Sequence, residues 1–174
     1  MVLYAPDSDV LALFQQLRME ECIIVGSRAP LVVTDVVWDE LTGTRVPEHY
    51  AERTQKFLAS LVTGPTEIMP ASPEAISFSL LHPDLARADA GEDSIIAYAL
   101  HHPEIVPVLR DKQALVRAVE ELRGRAVLSV HGFLAVLFDA GCVSLPTLIE
   151  FGRSFRKRYM QPEPTWWAGL THQA

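Results

Sequence analysis

Four carboxylic acids occupy similar places along the chain, each directly after an apolar run or within the first turns of a helical pattern. They are Asp7, Glu40, Asp93 and Asp111. The carboxyl ends of parallel strands meet at one edge of a sheet, and open α/β proteins bind their ligands at that edge. Carboxylates brought together there repel each other unless a cation holds them, and hard divalent cations prefer carboxylate oxygens. The pattern therefore indicates a divalent-metal site.

Each acid also has an ordinary structural explanation. An aspartate that follows a strand can cap the next helix. Sequence position favours Asp9 over Asp7 as the cap of the first helix, because Asp7 lies nearer the strand. An acidic residue in a first helical turn is favoured by the helix dipole, which would account for Asp93. Glu40 could be exposed without a role, and its neighbour Asp39 could serve in its place. These alternatives stay open at the level of the residues.

Strands and helices alternate in the hydrophobic pattern. Short apolar runs predict strands at about 1–6, 30–34, 105–109 and 126–129, with at most a brief strand at 67–69. Helical spacing with caps and stops predicts helices at about 9–19, 36–41, 47–62, 73–82, 92–100, 113–123, 132–139 and 145–159. Such alternation is typical of an α/β fold with a mainly parallel central sheet flanked by helices.

The length and composition suit one domain. A chain of 174 residues with 49% hydrophobic content can bury a sizeable core. We expect a domain at about 1–160 and a C-terminal tail at 161–174, in which Trp166 and Trp167 must cover something. Cys22 and Cys142 lie among apolar neighbours and lack the nearby partners of a zinc site, so we expect buried free thiols.

Charge and hydropathy restrict the class of protein. No apolar stretch reaches the roughly 18 residues of a membrane-spanning helix, and the first residues do not resemble a signal peptide, so we expect a soluble cytoplasmic protein without a membrane partner. The net charge of −7 argues against a protein that coats nucleic acid by bulk electrostatics, but not against a nuclease. Two basic clusters are either phosphate contacts or solvated helix faces: Arg110, Lys112, Arg117, Arg123 and Arg125, and Arg153, Arg156, Lys157 and Arg158.

The order and spacing of these motifs resemble the PIN domain, a small α/β metal-dependent ribonuclease fold of many bacterial toxins and RNA-processing nucleases. The similarity covers about residues 1–155. Near the start, the family pattern Asp-Thr-Asn-x-Leu is similar to Asp7-Ser8-Asp9-Val10-Leu11, and the pattern Val-x-x-Glu-Leu is similar to Val37-Trp38-Asp39-Glu40-Leu41. In the middle, the family's acidic helix start resembles Gly91-Glu92-Asp93, and its Thr-x-Asp-Lys resembles Leu109-Arg110-Asp111-Lys112. Near the end, its Gly-x-Leu to Ala-Gly-x-Ile-Ser segment resembles Gly132-Phe133-Leu134 to Gly141-Cys142-Val143-Ser144. Two positions depart from the pattern: Leu109 replaces a usual hydroxyl residue, and Val130-His131 stands where threonine commonly precedes the glycine.

This resemblance implies a PIN-like, Rossmann-like three-layer sandwich and an endoribonuclease that uses Mg²⁺ or Mn²⁺, in which water activated by the metal attacks an RNA phosphodiester. It implies a quartet that binds the metal and carries the catalysis, namely Asp7, Glu40, Asp93 and Asp111. Ser8 would position Asp7, and Glu92 would be the substitute for Asp93. RNA phosphates would contact Arg110, Lys112, Arg153 and Lys157. The implied partners are RNA, an antitoxin protein if the enzyme is a toxin, and a second copy in a homodimer.

Two other functions fit part of the pattern. A catalytically weakened PIN-like module would bind RNA or protein without cleavage; the departures at Leu109 and Val130 favour it, whereas the complete quartet favours activity. A haloacid-dehalogenase-type phosphotransferase also has an Asp-x-Asp motif after a strand, as in Asp7 to Asp9. That family expects Thr or Val two places after the second Asp, where this chain has Leu11.

The helix predicted at 145–159 generates a test of RNA binding. Residues four apart share a helix face, so Arg153 and Lys157 form a cationic face while Phe155 and Tyr159 form an apolar one. If the cationic face steers RNA to the acidic site, replacing Arg153 and Lys157 with glutamine should weaken RNA binding and flatten its salt dependence, with metal binding unchanged. Anisotropy titrations at several salt concentrations measure both. An unchanged affinity would assign the face to a protein partner or to solvent.

Overall fold

Three short parallel strands form the central sheet of the structure, a computed structural model that describes residues 1–24, 30–43, 46–83 and 89–159. For Ile24, His49 and residues 156–159 it describes the backbone alone. The elements in chain order are β1 (Leu3–Pro6), α1 (Ser8–Gln16), α2 (Glu21–Ile24), α3 (Asp35–Thr42), α4 (Glu48–Leu61), α5 (Pro73–Leu81), α6 (Ala90–His101), β2 (Ile105–Leu109), α7 (Lys112–Glu121), β3 (Leu128–Ser129), α8 (Val130–Asp139) and α9 (Leu145–Tyr159). The tail expected at 161–174 lies outside the described residues.

The sheet has the order β1-β2-β3, and both pairs are parallel. Leu3 pairs with Ile105 in the first ladder, and Val108 pairs with Leu128 in the second. The ladder extends one residue past β1, since the Asp7 N–H donates to the Val108 carbonyl at 3.0 Å. The predicted α/β class with a parallel sheet flanked by helices is therefore confirmed. Its carboxyl edge is formed where Asp7, Arg110 and Val130 follow their strands.

The segment at 30–34 forms isolated bridges instead of the predicted strand. Leu31 bridges Tyr4 of β1, and Thr34 bridges Thr66 on the other side. The Thr34 side chain accepts a hydrogen bond from the Val37 N–H and caps α3, so the chain leaves the extended conformation after only a few residues. At 67–69 at most a brief strand was expected. Within the described residues, the bridge of Thr66 is the only strand pairing near this segment.

The helices begin and end close to the predicted residues, and the exceptions follow from capping. The α8 helix begins at Val130 rather than Gly132, because the Ser129 Oγ accepts a hydrogen bond from the Gly132 N–H at 3.2 Å. Strand β3 therefore passes directly into α8. The four-residue helix α2 was not predicted, because so short a turn carries too little periodicity to recognise.

Buried aromatic rings join three helices to the sheet. Phe14 of α1 lies 6.5 Å from Phe133 of α8 and 5.6 Å from Phe151 of α9, measured between ring centroids, and all three side chains are fully buried. Tyr4 of β1 contacts Phe133 with a centroid distance of 5.4 Å. Phe133 thus connects the strand, α1 and the core.

Two further expectations concern the cysteine thiols and the apolar length of the helices. Cys22 and Cys142 are both free; Cys22 is buried, as expected, whereas Cys142 is only half-buried. In the described parts of the chain, no helix combines the length and the apolar character needed to span a bilayer.

Phe133→Ala should lower the free energy of unfolding by about 3 to 5 kcal/mol, because it removes a fully buried ring and leaves a cavity between α8, α1 and β1. Val116 on α7 is 52% exposed, so Val116→Ala is the control and should change stability by less than about 0.5 kcal/mol. Urea denaturation measures the unfolding free energy of both variants, provided that its dependence on urea concentration has the same slope in each. Equal effects in the two variants would contradict this description of the core.

Candidate functional site

Asp7 holds the end of β1 to two other elements. Its fully buried carboxylate accepts a hydrogen bond at Oδ1 from the Val10 N–H at 2.6 Å, which caps α1, and another at Oδ2 from the Arg110 N–H at 2.8 Å. The cap is therefore Asp7 and not Asp9, which the sequence favoured. An N-cap must precede the first helical residue, and α1 begins at Ser8. Asp9 lies inside the helix with a side chain that is 62% exposed.

The pKa of the Asp7 carboxyl is raised from 3.8 to about 6, chiefly because burial disfavours the charged form. The N–H groups of Arg110 and Val10 oppose this rise, and the negative charge of Asp9 adds to it. Ionised Asp7 is thus an unfavourable charge that backbone donors only partly compensate. A cation nearby would stabilise it.

Glu40 reaches from α3 to the beginning of α6. Its Oε1 accepts a hydrogen bond from the Gly91 N–H at 2.7 Å, and a Cβ at position 91 would overlap the Glu40 carboxylate, so a larger residue there would displace the Glu40 side chain. A second link joins the same helices. The hydroxyls of Thr34 and Ser94 lie 2.8 Å apart, and Ser94 Oγ donates to the Gly91 carbonyl at 2.7 Å. Helix α3 is therefore held against the first turn of α6.

Glu92 is the acid of α6 that interacts with both Asp7 and Glu40. Its pKa is raised from 4.5 to about 7, first by burial and then by the negative charges of Asp7, Glu40 and Asp89. Carboxylates from the end of β1 and from α3 thus act on a carboxylate of α6 at the carboxyl edge of the sheet. We call Asp7, Glu40 and Glu92 the acidic cluster.

Asp93, predicted as the α6 member of the quartet, contacts other groups. Its fully buried carboxylate lies 3.0 Å from His82 Nδ1 at the end of α5 and 2.9 Å from Arg117 Nη2 of α7. The second contact is an ion pair without the alignment of a hydrogen bond. Burial raises the pKa of Asp93, and the charges of Arg117 and His82 oppose the rise. Neither partner was identified from the sequence, because only the fold brings α5 and α7 to this residue.

Asp111, the fourth residue of the predicted quartet, caps a helix, and two of the four predicted RNA-binding residues line a cavity together with it. Asp111 is exposed and caps α7, accepting at Oδ1 from the N–H groups of Gln113 and Ala114 at 2.7 and 2.9 Å. A cavity of about 360 Å³ is lined by, among others, Arg110, Lys112, Asp9, Asp111, Ser129 and His131. Arg153 is exposed on α9, and the side chain of Lys157 lies outside the described residues.

The acidic cluster has the donor chemistry of a site for Mg²⁺ or Mn²⁺, since all its ligands would be carboxylate oxygens. Among the described residues, however, no three His, Cys, Asp or Glu side chains are grouped closely enough to hold an ion in this conformation. A cation at this edge would therefore have to draw the three carboxylates together. The raised pKa values of Asp7 and Glu92 are what such a cation would reverse.

Comparisons with known proteins add no family assignment. No protein-family model, curated protein or solved structure matches the chain. The function is therefore argued from the motifs and from the geometry of the acidic edge.

The pKa values of Asp7 and Glu92 predict that stability falls as pH rises. In both groups the folded-state pKa, about 6 for Asp7 and about 7 for Glu92, lies above the ordinary values of 3.8 and 4.5, so the folded protein binds protons more tightly than the unfolded chain. Their contribution is complete below about pH 4 and is lost as pH rises to about 7. The lowered pKa of His131 acts in the opposite sense below about pH 6.5, because this imidazole is buried neutral.

The contribution of Glu92 is isolated by comparing two pH profiles. Between pH 5 and pH 8 in EDTA, wild type should lose about 1 to 2 kcal/mol more of its unfolding free energy than Glu92→Gln. The exposed Glu121 of α7 provides the control, and Glu121→Gln should keep the wild-type profile. Urea denaturation at the two pH values supplies the numbers. Identical profiles for wild type and Glu92→Gln would show that Glu92 is not part of a buried acidic cluster.

Proposed function

We propose that the protein is a PIN-like metal-dependent endoribonuclease that hydrolyses RNA phosphodiesters at the acidic cluster. One observation carries the proposal: the buried Asp7 carboxylate at the end of β1 and the Glu40 carboxylate, bonded to the Gly91 N–H, lie at the carboxyl edge of a parallel sheet beside Glu92, whose pKa burial and both charges raise. Ionised carboxylates in a partly buried cluster oppose folding unless a cation compensates them. Open α/β sheets bind their ligands at this same edge.

In this proposal Asp7, Glu40 and Glu92 hold the divalent cation. A bound Mg²⁺ or Mn²⁺ supplies an acidified water and neutralises the charge that develops on the phosphodiester. Backbone N–H groups of Val10 and Arg110 orient Asp7, and the Gly91 N–H orients Glu40. These two carboxylates and Glu92 would still have to move closer together when the cation binds.

The PIN-like fold extends this proposal to partners and location. A PIN-like nuclease of the toxin type would act on cytoplasmic RNA, be inhibited by an antitoxin protein and pair with a second copy. Arg110 and Lys112 support the RNA substrate, because both line a cavity that follows β2 next to Asp7.

A second candidate is a catalytically weakened PIN-like module that binds RNA or protein without cleavage. It is favoured by the engagement of Asp93, whose carboxylate is held between His82 and Arg117. An arginine in that position compensates one predicted ligand charge in place of a metal. This alternative keeps the RNA-binding surface and removes the hydrolysis.

A cleavage assay separates the two candidates. With Mn²⁺ or Mg²⁺ the wild type should cut a labelled single-stranded RNA, and EDTA should stop it. Asp7→Asn, Glu40→Gln and Glu92→Gln should each lower the rate by about 100-fold or more, because each weakens the hold on the cation that stabilises the transition state. Mn²⁺ should also raise the melting temperature of the wild type, by binding the folded state, but not that of Asp7→Asn.

Asp139→Asn is the matched control for this assay. Asp139 is exposed at the far end of α8 from the sheet, so its loss of charge should leave both cleavage and the Mn²⁺ effect unchanged. RNA binding without cleavage and without a Mn²⁺-dependent melting shift would instead identify the non-catalytic module. A rate that depends on Asp93 but not on Glu92 would restore the quartet predicted from the sequence.

A further inference from the structure

We propose that the cavity bordered by α1, α3 and α4 is a nucleotide subsite, in which a base of single-stranded RNA stacks on Tyr50 and the neighbouring phosphates contact Arg18 and Arg53. The inference rests on the proposed ribonuclease function and names the surface along which its substrate lies. The cavity measures about 440 Å³, a size typical of sites for small ligands. Neither arginine belongs to the basic clusters that the sequence singled out.

The cavity adjoins the acidic cluster through a shared residue. Glu40 lies in its lining, and the same carboxylate accepts the hydrogen bond from the Gly91 N–H at the start of α6. If one nucleotide of an RNA strand lies in the cavity, the same strand would therefore present a neighbouring phosphodiester to the acidic cluster. This continuity distinguishes the cavity from an unrelated surface depression.

An aromatic ring and side-chain amides give the cavity the groups that bind unpaired bases. Tyr50, in the first turn of α4, is 58% exposed and lines the cavity together with Gln15 and Gln16 of α1. Every base can stack on an aromatic face, and side-chain amides hydrogen-bond base edges. Gln15 is held in place, since its Oε1 accepts a hydrogen bond from the Thr54 hydroxyl at 3.2 Å. The lining therefore suits an unpaired nucleotide rather than a duplex.

The charge of the lining favours phosphate. Arg18 and Arg53 contribute two positive charges against the single carboxylate of Glu40, whereas the cavity near Arg110 contains as many acids as bases. Arg53 Nη2 contacts Glu20 Oε1 at 2.7 Å, but a guanidinium has five N–H donors, and the side chain is 57% exposed. An acidic chain of phosphates complements this surface better than a basic protein segment does.

RNA binding in EDTA tests the subsite without cleavage. The probe is a short labelled single-stranded RNA, titrated by anisotropy at several salt concentrations. Tyr50→Ala should weaken binding about 10-fold through loss of stacking, and Tyr50→Phe should restore it. Arg18→Gln and Arg53→Gln should each weaken binding and reduce the slope of log affinity against log salt by about 0.7. Their melting temperatures should stay close to wild type, because these side chains are exposed.

Lys56→Gln is the matched control, since Lys56 is exposed on α4 three residues after Arg53, does not line the cavity and lies in neither basic cluster. Its affinity and salt slope should match wild type. The inference is overturned if Lys56→Gln weakens binding as much as Arg53→Gln, if Tyr50→Ala binds normally, or if duplex RNA binds equally well. Unchanged RNA affinity in all cavity variants would also overturn it and assign the cavity to a protein segment.

The two proposals fail in different ways. If RNA binding depends on Tyr50 and both arginines but no metal-dependent cleavage occurs, the subsite stands and the ribonuclease proposal falls. If cleavage depends on Asp7 while the cavity variants bind RNA normally, the ribonuclease stands and the subsite is rejected.

Discussion

Burial of the Asp7 carboxylate is the constraint on which the functional edge depends. A charge placed inside a protein needs compensation, and Asp7 receives it from the first turn of α1 and from the backbone after β2. These hydrogen bonds connect β1, α1 and β2 at one point. Burial still raises the pKa of the group, so the compensation is incomplete. The same residue is therefore both the structural anchor of the edge and an incompletely compensated charge.

Helix α6 carries the rest of the edge. Its small and aliphatic residues are almost wholly buried, which lets it pack closely enough for Gly91 and Ser94 to reach α3. The helix then separates two adjacent acids by environment. The charges of Asp7 and Glu40 act on Glu92, while Asp93 forms an ion pair with Arg117 and lies 3.0 Å from His82. Two adjacent carboxylates on one helix therefore have different partners.

An acidic protein can bind RNA only if its cations are local. The net charge of −7 opposes approach of a polyanion, but Arg18 and Arg53 border the cavity that includes Glu40, and Arg110 and Lys112 border the cavity after β2. Cationic side chains thus border two cavities, each of which also contains acidic residues. In the proposed function these cations would attract phosphate towards the carboxylates.

The sequence by itself determined the α/β class, most helix positions and the placement of Asp7 at a strand end, because these depend on hydrophobic period and on capping within three or four residues. Ser72 and Asp111 show how local such signals are, since each caps the helix that directly follows it. Only the tertiary structure decided which of the neighbours Glu92 and Asp93 interacts with Asp7 and Glu40. Adjacent residues on a helix point about 100° apart, and the choice depended on where α5 brings His82 and α7 brings Arg117. The extended segment at 30–34 and the cavity with Arg18 and Arg53 were equally beyond local pattern, because pairing partners and cavity walls come from residues distant in the chain.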